Sequence, residues 1–223
     1  MAREADRAHG QWTPAIGAYL DALYAGEDGG MREAARAIEV ADMPQIQIPP
    51  ADGRILEVLL RLVGARRVVE IGTLGAYSTQ WLARALPDDG HLWTIEVSAR
   101  HAAVARDVLS RAGLGAKVTV LEGAALLVLP DLEPRGPFDA VFIDADKENY
   151  VNYAEWASAH LRPGGLVIGD NTYFFGRLAG VASRDAAEEK AISAMRAFHQ
   201  LVAREFHGVV LPTLEGLTVG VRR

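Results

Sequence analysis

Short apolar runs alternate with longer amphipathic segments along most of this chain. The apolar runs predict strands at residues 67–72, 91–96, 117–122, 138–144 and 164–170. Apolar residues spaced three or four apart predict helices at 77–86, 99–112, 124–129, 149–161 and 185–202, and another helix ending near residue 64. This alternation is typical of a doubly wound, parallel α/β sheet. Near the C-terminus, EFHGVVLP and GLTVGV predict a closing antiparallel pair of strands, which gives a seven-stranded, mostly parallel sheet.

The segment before this alternating part has a different pattern. Residues 11–43 predict one or two amphipathic helices that are interrupted at residues 26–30. MPQIQIPP, residues 43–50, predicts an extended linker because its prolines disfavour a helix. A chain of 223 residues is the usual size of one domain. We therefore expect a single domain over residues 1–223, with residues 1–43 as a helical extension and residues 44–223 as the catalytic core.

Composition narrows the class of protein. A net charge of −6 argues against broad nucleic-acid binding, which needs a basic surface. The chain has no cysteine, which excludes disulfides and thiolate metal sites and suits a reducing compartment. Residues 1–12 lack the apolar core of a signal peptide, and no apolar run approaches the ~18 residues of a membrane helix. We expect a cytoplasmic protein that does not bind a membrane.

Polar residues follow two of the predicted strands at the point where each strand ends. Asp144 ends one strand, and Asp170 and Asn171 end the next. Parallel strands place their carboxyl ends on one edge of the sheet, so these oxygen ligands and Lys147 would converge there. Hard oxygen ligands favour Mg²⁺, and six scattered histidines without cysteine disfavour zinc. Taken singly, Asp144 could cap a helix, Asp170-Asn171 could form a turn, and Lys147 could be a surface residue.

A second group of residues predicts a nucleoside site. Glycine residues 72 and 75 fit the G-x-G-x-x-G fingerprint poorly, which disfavours a dinucleotide, and a tight turn is the alternative explanation. Glu70 would be costly at the end of a core strand unless it bonds a partner. Glu96 ends the second strand, where such folds bind ribose hydroxyls, although it could be a solvated strand end. Together these residues favour an adenosyl group that carries an amino acid.

Several motifs spanning about residues 44–221 carry a resemblance to a known family. They are VVEIGTLGAYS, WTIEVS, LEGAA, FDAVFIDADKENY, LRPGGLVIGDNTYFFGR and GLTVGV. The chain resembles the cation-dependent O-methyltransferases of the caffeoyl-CoA and catechol type, which use S-adenosylmethionine. The resemblance implies a Rossmann-like class I methyltransferase fold and a homodimer.

The resemblance also implies roles for individual residues. Asp144, Asp170 and Asn171 would bind a divalent cation, usually Mg²⁺, with Mn²⁺ or Ca²⁺ as alternatives, and Lys147 would be the general base. The expected cofactor-binding residues are Ile48, Glu70, Gly72, Ser78, Glu96, Gly123, Ala124, Ala125 and Asp144. The expected acceptor-binding residues are Lys147, Tyr150, Asn171 and Phe174, although the aromatic residues could instead belong to the core. Ala124 stands where plant-like members often carry Asp, and Ala76 replaces a usual Gly.

The predicted reaction is methyl transfer from S-adenosylmethionine to a hydroxyl of an aromatic vicinal diol, a small molecule of the catechol type. A CoA thioester of the caffeoyl-CoA type is an alternative acceptor. Two alternatives come from other classes: a nicotinamide-dependent oxidoreductase on the same architecture, and a non-catalytic protein that keeps only the cofactor pocket. The oxidoreductase gives no reason for Asp144, Asp170 and Asn171, and a non-catalytic protein has no need for Lys147 beside them.

Overall fold

The computed structural model describes residues 13–180 and 182–223, which form one twisted sheet flanked by helices. The α-helices in this part of the chain are α1 (Pro14–Tyr24), α2 (Gly29–Val40), α3 (Pro50–Leu62), α4 (Tyr77–Ala85), α5 (Ala99–Arg111), α6 (Ala125–Leu132), α7 (Tyr150–His160) and α8 (Ala186–Glu205). The strands are β1 (Arg67–Ile71), β2 (His91–Glu96), β3 (Val118–Glu122), β4 (Phe138–Ile143), β5 (Leu161–Gly169), β6 (Phe206–Leu211) and β7 (Leu217–Arg222).

The strand order of the sheet is β3-β2-β1-β4-β5-β7-β6. Strands β1 to β5 pair in parallel, whereas β7 runs antiparallel to both β5 and β6. This confirms the predicted doubly wound, seven-stranded sheet with a C-terminal antiparallel pair. The direction of winding reverses between β1 and β4, and ligands of such sheets bind in the crevice at this point.

The sheet is buried on both faces because helices cover both. Neighbouring residues of β1 show this directly: Val68 packs in the core cluster that contains Leu56 and Trp81, whereas Val69 packs in the opposite cluster with Phe138 and Phe198. All four residues from Val68 to Ile71 are buried. Strands buried on both faces form near-continuous apolar runs, which is the pattern that the sequence showed apart from single polar residues such as Glu70.

Some element boundaries differ from the predictions. The helix expected to end at residue 129 continues to Leu132 with Pro130 inside it. Proline removes one N–H donor there, and the short helix tolerates that loss. The expected break at residues 26–30 is shorter than predicted, because Asp28 caps α2 by accepting a hydrogen bond from the Met31 amide at 2.9 Å. Residues 29 and 30 therefore start the helix instead of interrupting it.

Helix α2 packs in the core, whereas α1 has no buried residue. Met31, Ala34 and Ile38 of α2 are buried in the same cluster as Val68, which supports the prediction of one domain; that division of the chain stays a prediction. The expected lack of a signal-peptide core concerns residues 1–12, which lie outside the described residues. Of the helices described, none is long and apolar enough to cross a membrane.

Candidate active site

A cavity of about 870 Å³ lies beside the carboxyl ends of β1, β2, β4 and β5, and it brings together most of the predicted site residues. Those that line it are Ile48, Gly72, Ser78, Glu96, Gly123, Ala124, Ala125, Asp144, Lys147, Asp170 and Asn171. Three others, Glu70, Tyr150 and Phe174, do not line it. We call the part at Gly72, Ser78 and Glu96 the β1–β2 end, and the part at Asp144, Lys147, Asp170 and Asn171 the β4–β5 end.

Glu70 is fully buried beneath the β1–β2 end, where it makes hydrogen bonds within the protein. Ser78 Oγ donates to Glu70 Oε1 and Thr79 Oγ1 donates to Glu70 Oε2, both at 2.6 Å. Burial raises the pKa of Glu70 to about 7, although these hydrogen bonds act in the opposite direction. Glu70 therefore does not line the cavity, and its carboxyl group holds the first turn of α4, which presents Ser78 to the cavity. Its direct contact with a cofactor stays a prediction.

The turn between β1 and α4 passes very close to the end of β4. Gly72 has a φ of 101°, and a Cβ atom at this position would lie 2.0 Å from the Asp144 carbonyl oxygen. No larger residue fits there without moving one of the two strands. The glycine therefore brings the β1–β2 end and the β4–β5 end into direct contact, which the sequence pattern alone did not indicate.

Glu96 occupies the end of β2 and reaches the cavity with its carboxylate fixed on both sides. Its Oε2 atom accepts a hydrogen bond from the Leu74 amide at 2.8 Å, and its Oε1 atom accepts one from the Ser98 amide at 2.9 Å. His101 Nδ1 lies 3.6 Å from Oε1. The two backbone donors hold this acceptor group in one orientation, which suits it to receive hydrogen bonds from a diol.

Lys147 lies at the centre of the β4–β5 end. Its Nζ atom donates to Asn171 Oδ1 at 2.8 Å and to Tyr150 Oη at 2.5 Å, and it lies 3.5 Å from Asp144 Oδ1. Burial lowers the pKa of this lysine, and the charges of Asp144 and Asp170 oppose that shift. The structure therefore brings the Lys147 amine together with Asp144 and Asn171, as the sequence predicted.

The two carboxyl groups of the β4–β5 end are close enough to influence each other. Burial, followed by the charge of Asp144, raises the pKa of Asp170 to about 7. Burial also raises the pKa of Asp144, against the effect of Lys147. No group of three or more His, Cys, Asp or Glu side chains suited to a metal occurs among residues 13–180 and 182–223. Any metal here would have to use two carboxylates and the Asn171 amide oxygen.

Two aromatic residues are placed differently from the prediction. Tyr150 is fully buried under Lys147, and its hydroxyl donates to the carbonyl oxygens of Asp170 at 2.9 Å and Ile143 at 3.1 Å. Phe174 is only 8% exposed and packs in the core, whereas Phe175, 66% exposed, lines the cavity. Asn171, Phe174 and Phe175 all have φ between 50° and 53°, and in this turn the Phe175 ring is the one that faces the cavity.

Sequence reasoning missed two acidic residues that line the β4–β5 end, Asp52 and Glu215. Asp52 lies in the first turn of α3, and Glu215 lies in the turn before β7. Asn171 Nδ2 donates a hydrogen bond to Glu215 Oε2, and the Tyr173 amide donates to the Glu215 carbonyl oxygen at 3.0 Å. Neither residue follows a parallel strand, so no motif marked it; only the last strand's position beside β5 could have suggested Glu215.

Comparisons with known proteins identify the family. Residues 24–223 match the family described as O-methyltransferase. The chain is 42% identical over 188 residues to a catechol O-methyltransferase of Mycobacterium tuberculosis, which covers 84% of this chain and 83% of that protein. It is 41% identical over 175 residues to a catechol O-methyltransferase of Niastella koreensis, covering 78% and 79%. The crystal structure of a Bacillus cereus O-methyltransferase in complex with SAH has a TM-score of 0.87 at 36% identity, covering 94% and 97%.

The fold and the site thus define a class I methyltransferase. The chain belongs to the O-methyltransferase family, which confirms both the predicted family and the predicted enzyme class, a transferase dependent on S-adenosylmethionine. The nicotinamide-dependent alternative is thereby set aside.

Proposed function

We propose that this enzyme transfers the methyl group of S-adenosylmethionine to a hydroxyl of a catechol-type aromatic diol, and that it uses Mg²⁺ or another divalent cation. The observation that carries this proposal is the position of Lys147. Its amine lies between the Asn171 amide oxygen and the Asp144 carboxylate, in a cavity that extends to Glu96. A proton acceptor, oxygen ligands and a diol-binding carboxylate therefore share one cavity.

The residues of the β4–β5 end fit a divalent cation. Asp170 is buried, and the charge of Asp144 helps to raise its pKa, so a cation between the two carboxylates would relieve an unfavourable charge. Asn171 Oδ1 faces the same place, because Glu215 accepts the hydrogen bond from its Nδ2. Mg²⁺ binds through a few oxygens and keeps other positions for water or substrate. Bound there, it would act as a Lewis acid that stabilises an acceptor oxyanion.

The β1–β2 end suits the cofactor. We assign the ribose hydroxyls to Glu96, whose carboxylate is held by two backbone amides. Gly72 and Ser78 would contact the methionine portion, and the backbone at residues 123–125 would lie beside the adenine. S-adenosylmethionine supplies a sulfonium methyl group, and the cavity would align an acceptor oxygen with it. Ile48 lines the same cavity and would cover the transfer site.

Lys147 would take the proton from the acceptor hydroxyl. Burial lowers its pKa, which makes the neutral amine accessible for this step. Tyr150 accepts a hydrogen bond from the lysine and is itself anchored to two carbonyl oxygens, so it limits where the amine can point. Phe175, at the entrance, would stack against the flat acceptor.

A labelled-methyl assay tests the function. Purified enzyme should methylate aromatic vicinal diols and should not methylate the matched phenols that carry a single hydroxyl. A chelator should abolish turnover, and Mg²⁺ should restore it. Full activity in the chelator would rule out the metal, and equal activity on the phenols would rule out the diol. The caffeoyl-CoA thioester belongs in the same panel as the alternative acceptor.

We also propose a homodimer in the cytoplasm. The apolar side chains of α1 support an association surface, because Ile16, Tyr19, Leu20, Leu23 and Tyr24 are all exposed. Light scattering at several concentrations would measure the mass. The absence of cysteine is compatible with the compartment proposed.

A further inference from the structure

The aromatic loop, residues 171–180 between β5 and α8, is held differently in its two halves. In the first half, the Thr172 and Tyr173 amides donate hydrogen bonds to the turn before β7, both at 3.0 Å. From residue 174 onward, the backbone hydrogen bonds that the structure describes stay within the loop, such as the one from the Arg177 amide to the Phe174 carbonyl oxygen at 2.8 Å. The position of the second half therefore depends on side chains.

Arg177 is the loop side chain that reaches α8. Its Nη2 atom donates to Glu188 Oε2 at 2.9 Å, and its Nε atom lies 2.5 Å from Glu188 Oε1. Nη2 also donates to the Ala182 carbonyl oxygen at 2.8 Å. The Glu188 side chain is only 6% exposed. A guanidinium that meets both oxygens of a carboxylate is fixed in orientation as well as attracted by charge, so this ion pair attaches the loop to α8.

Glu188 departs from the usual pattern at a helix start. Asp185, the N-cap of α8, accepts a hydrogen bond from the Glu188 amide at 2.8 Å, which is the first half of a capping box. In the second half, the glutamate side chain would accept the N-cap amide. Here Glu188 Oε2 instead accepts the Arg184 amide at 2.5 Å, and both of its oxygens face Arg177. The carboxylate thus bonds a loop residue eleven positions earlier in the chain.

Arg184 is a second arginine at the same carboxylate, and it lies on the surface. Its Nε atom donates to Glu188 Oε1 at 2.9 Å, and its side chain is 74% exposed. It precedes α8 directly and lies outside the aromatic loop. Loss of Arg177 would leave Glu188 with this charged partner, so it would not strand a buried charge. The two arginines therefore form a matched pair for experiment.

Phe175 is the loop residue whose position depends most on Arg177. Its ring is exposed and lines the cavity, whereas the neighbouring Phe174 ring is buried in the core. A buried ring is held by its neighbours, but an exposed ring with few such contacts follows its backbone. Gly176 lies between Phe175 and Arg177 with a φ of 74°, and glycine has the widest choice of conformations. The contact of Arg177 with α8 limits where the Phe175 ring can lie.

We propose that Arg177 is a positioning residue for the acceptor: together with Glu188 it fixes the aromatic loop so that the Phe175 ring stands at the cavity entrance. This inference rests on the proposed function and deepens it, because that ring is the one assigned to the flat acceptor. Arg177 itself does not line the cavity and acts through the loop. Its loss should weaken acceptor binding and should leave cofactor binding and the chemical step unchanged.

A double-mutant cycle with Phe175 tests this role. Arg177→Ala, Phe175→Ala and the double variant are assayed on one aromatic vicinal diol with saturating S-adenosylmethionine and Mg²⁺. Arg177→Ala should raise the acceptor KM by about two- to fivefold, which corresponds to ~0.4–1 kcal/mol, with kcat unchanged. The double variant should show no larger rise than Phe175→Ala, because the ring through which Arg177 acts is already absent. Arg177→Lys keeps the charge without the two-point contact and should be intermediate.

The matched control is Arg184→Ala, which removes the other arginine from the same carboxylate and should leave the acceptor KM unaltered. A second measurement needs no acceptor. Hydrogen exchange of the amides of residues 172–180 should become faster in Arg177→Ala and should stay the same in Arg184→Ala.

An unchanged KM in Arg177→Ala, or effects that multiply in the double variant, would overturn the inference. So would an equal rise of KM in Arg184→Ala, because the effect would then belong to the start of α8 and not to the loop. If the unaltered enzyme methylates no vicinal diol, the proposed function fails, and the acceptor role of Arg177 fails with it. The exchange measurement then still decides whether Arg177 holds the loop.

Discussion

The two ends of the cavity differ in how far the protein's own donors and positive charges satisfy their carboxylates. At the β1–β2 end, Glu70 accepts two hydroxyl hydrogen bonds and Glu96 accepts two backbone amides, so each acid is satisfied within the protein. At the β4–β5 end, Asp144 and Asp170 share the single ammonium of Lys147. The carboxylates of the β1–β2 end have donors within the protein. The β4–β5 end carries more negative charge than Lys147 offsets.

The difference implies different behaviour on binding. A satisfied carboxylate keeps its geometry in the free enzyme, so the β1–β2 end is preorganised for its ligand. Carboxylates that repel each other are stabilised when a cation binds, so affinity at the β4–β5 end depends on charge supplied from outside. We therefore expect cofactor binding to tolerate a chelator and turnover to be lost in it.

Both ends of the cavity place non-glycine residues in the left-handed region. In the turn between β1 and α4, Leu74 and Ala76 have φ of 50° and 64°. At the β4–β5 end, Asn171, Phe174 and Phe175 have φ between 50° and 53°. Such residues each cost about 1–3 kcal/mol and persist only where the surroundings hold them. Here the Thr172 and Tyr173 amides are bonded to the carbonyl oxygens of residues 216 and 215 at 3.0 Å.

The largest effect should come from the only ammonium of the described cavity lining. Lys147→Ala is expected to lower kcat by about 10²–10⁴-fold, the usual contribution of a general base. Affinity for S-adenosylmethionine, measured by titration calorimetry, should change little because the β1–β2 end does not contact this residue. A lower kcat with unchanged cofactor affinity would show that the two ends of the cavity have separate roles.

Lys190→Ala is the matched control for that change. This lysine pairs with Glu148 on the surface, and its side chain is 70% exposed. Its removal should leave turnover unaltered. Near-normal turnover in Lys147→Ala would make the buried lysine a structural counter-charge for Asp144 and would end its role as a base.

An intermediate effect is expected at the other end. Glu96→Gln should weaken binding of S-adenosylmethionine by about ten- to a hundredfold, since hydrogen bonds to charged groups contribute about 1.5–3 kcal/mol. The acceptor KM should be nearly unchanged. Glu122→Gln is the control, because Glu122 ends β3 directly opposite Glu96 and is exposed outside the cavity. A loss of acceptor affinity without loss of cofactor affinity would contradict the assignment of the ribose to Glu96.

The sequence predicted the residues that follow parallel strands, because strand direction alone places them on one edge. Asp144, Asp170 and Glu96 belong to this group. It did not predict Asp52 and Glu215, which reach the cavity from a helix start and from the turn before an antiparallel strand. Nor did it distinguish Phe174 from Phe175. In a turn with left-handed residues, adjacent side chains point in different directions. Neither the helix nor the strand period predicts which of the two faces the cavity.

That adjacent pair gives the smallest expected effect on catalysis and a clean contrast. Phe175→Ala should raise the acceptor KM about two- to fivefold, because a ring that is 66% exposed contributes only part of the ~1.5–3 kcal/mol of a fully buried apolar side chain. Its melting temperature should barely change. Phe174→Ala should do the reverse and cost about 3–5 kcal/mol of unfolding free energy, since its ring is buried in the core. Steady-state kinetics and thermal unfolding on both variants separate the two roles. If Phe174→Ala instead raised KM without loss of stability, the ring that faces the acceptor would be Phe174, as the sequence first suggested.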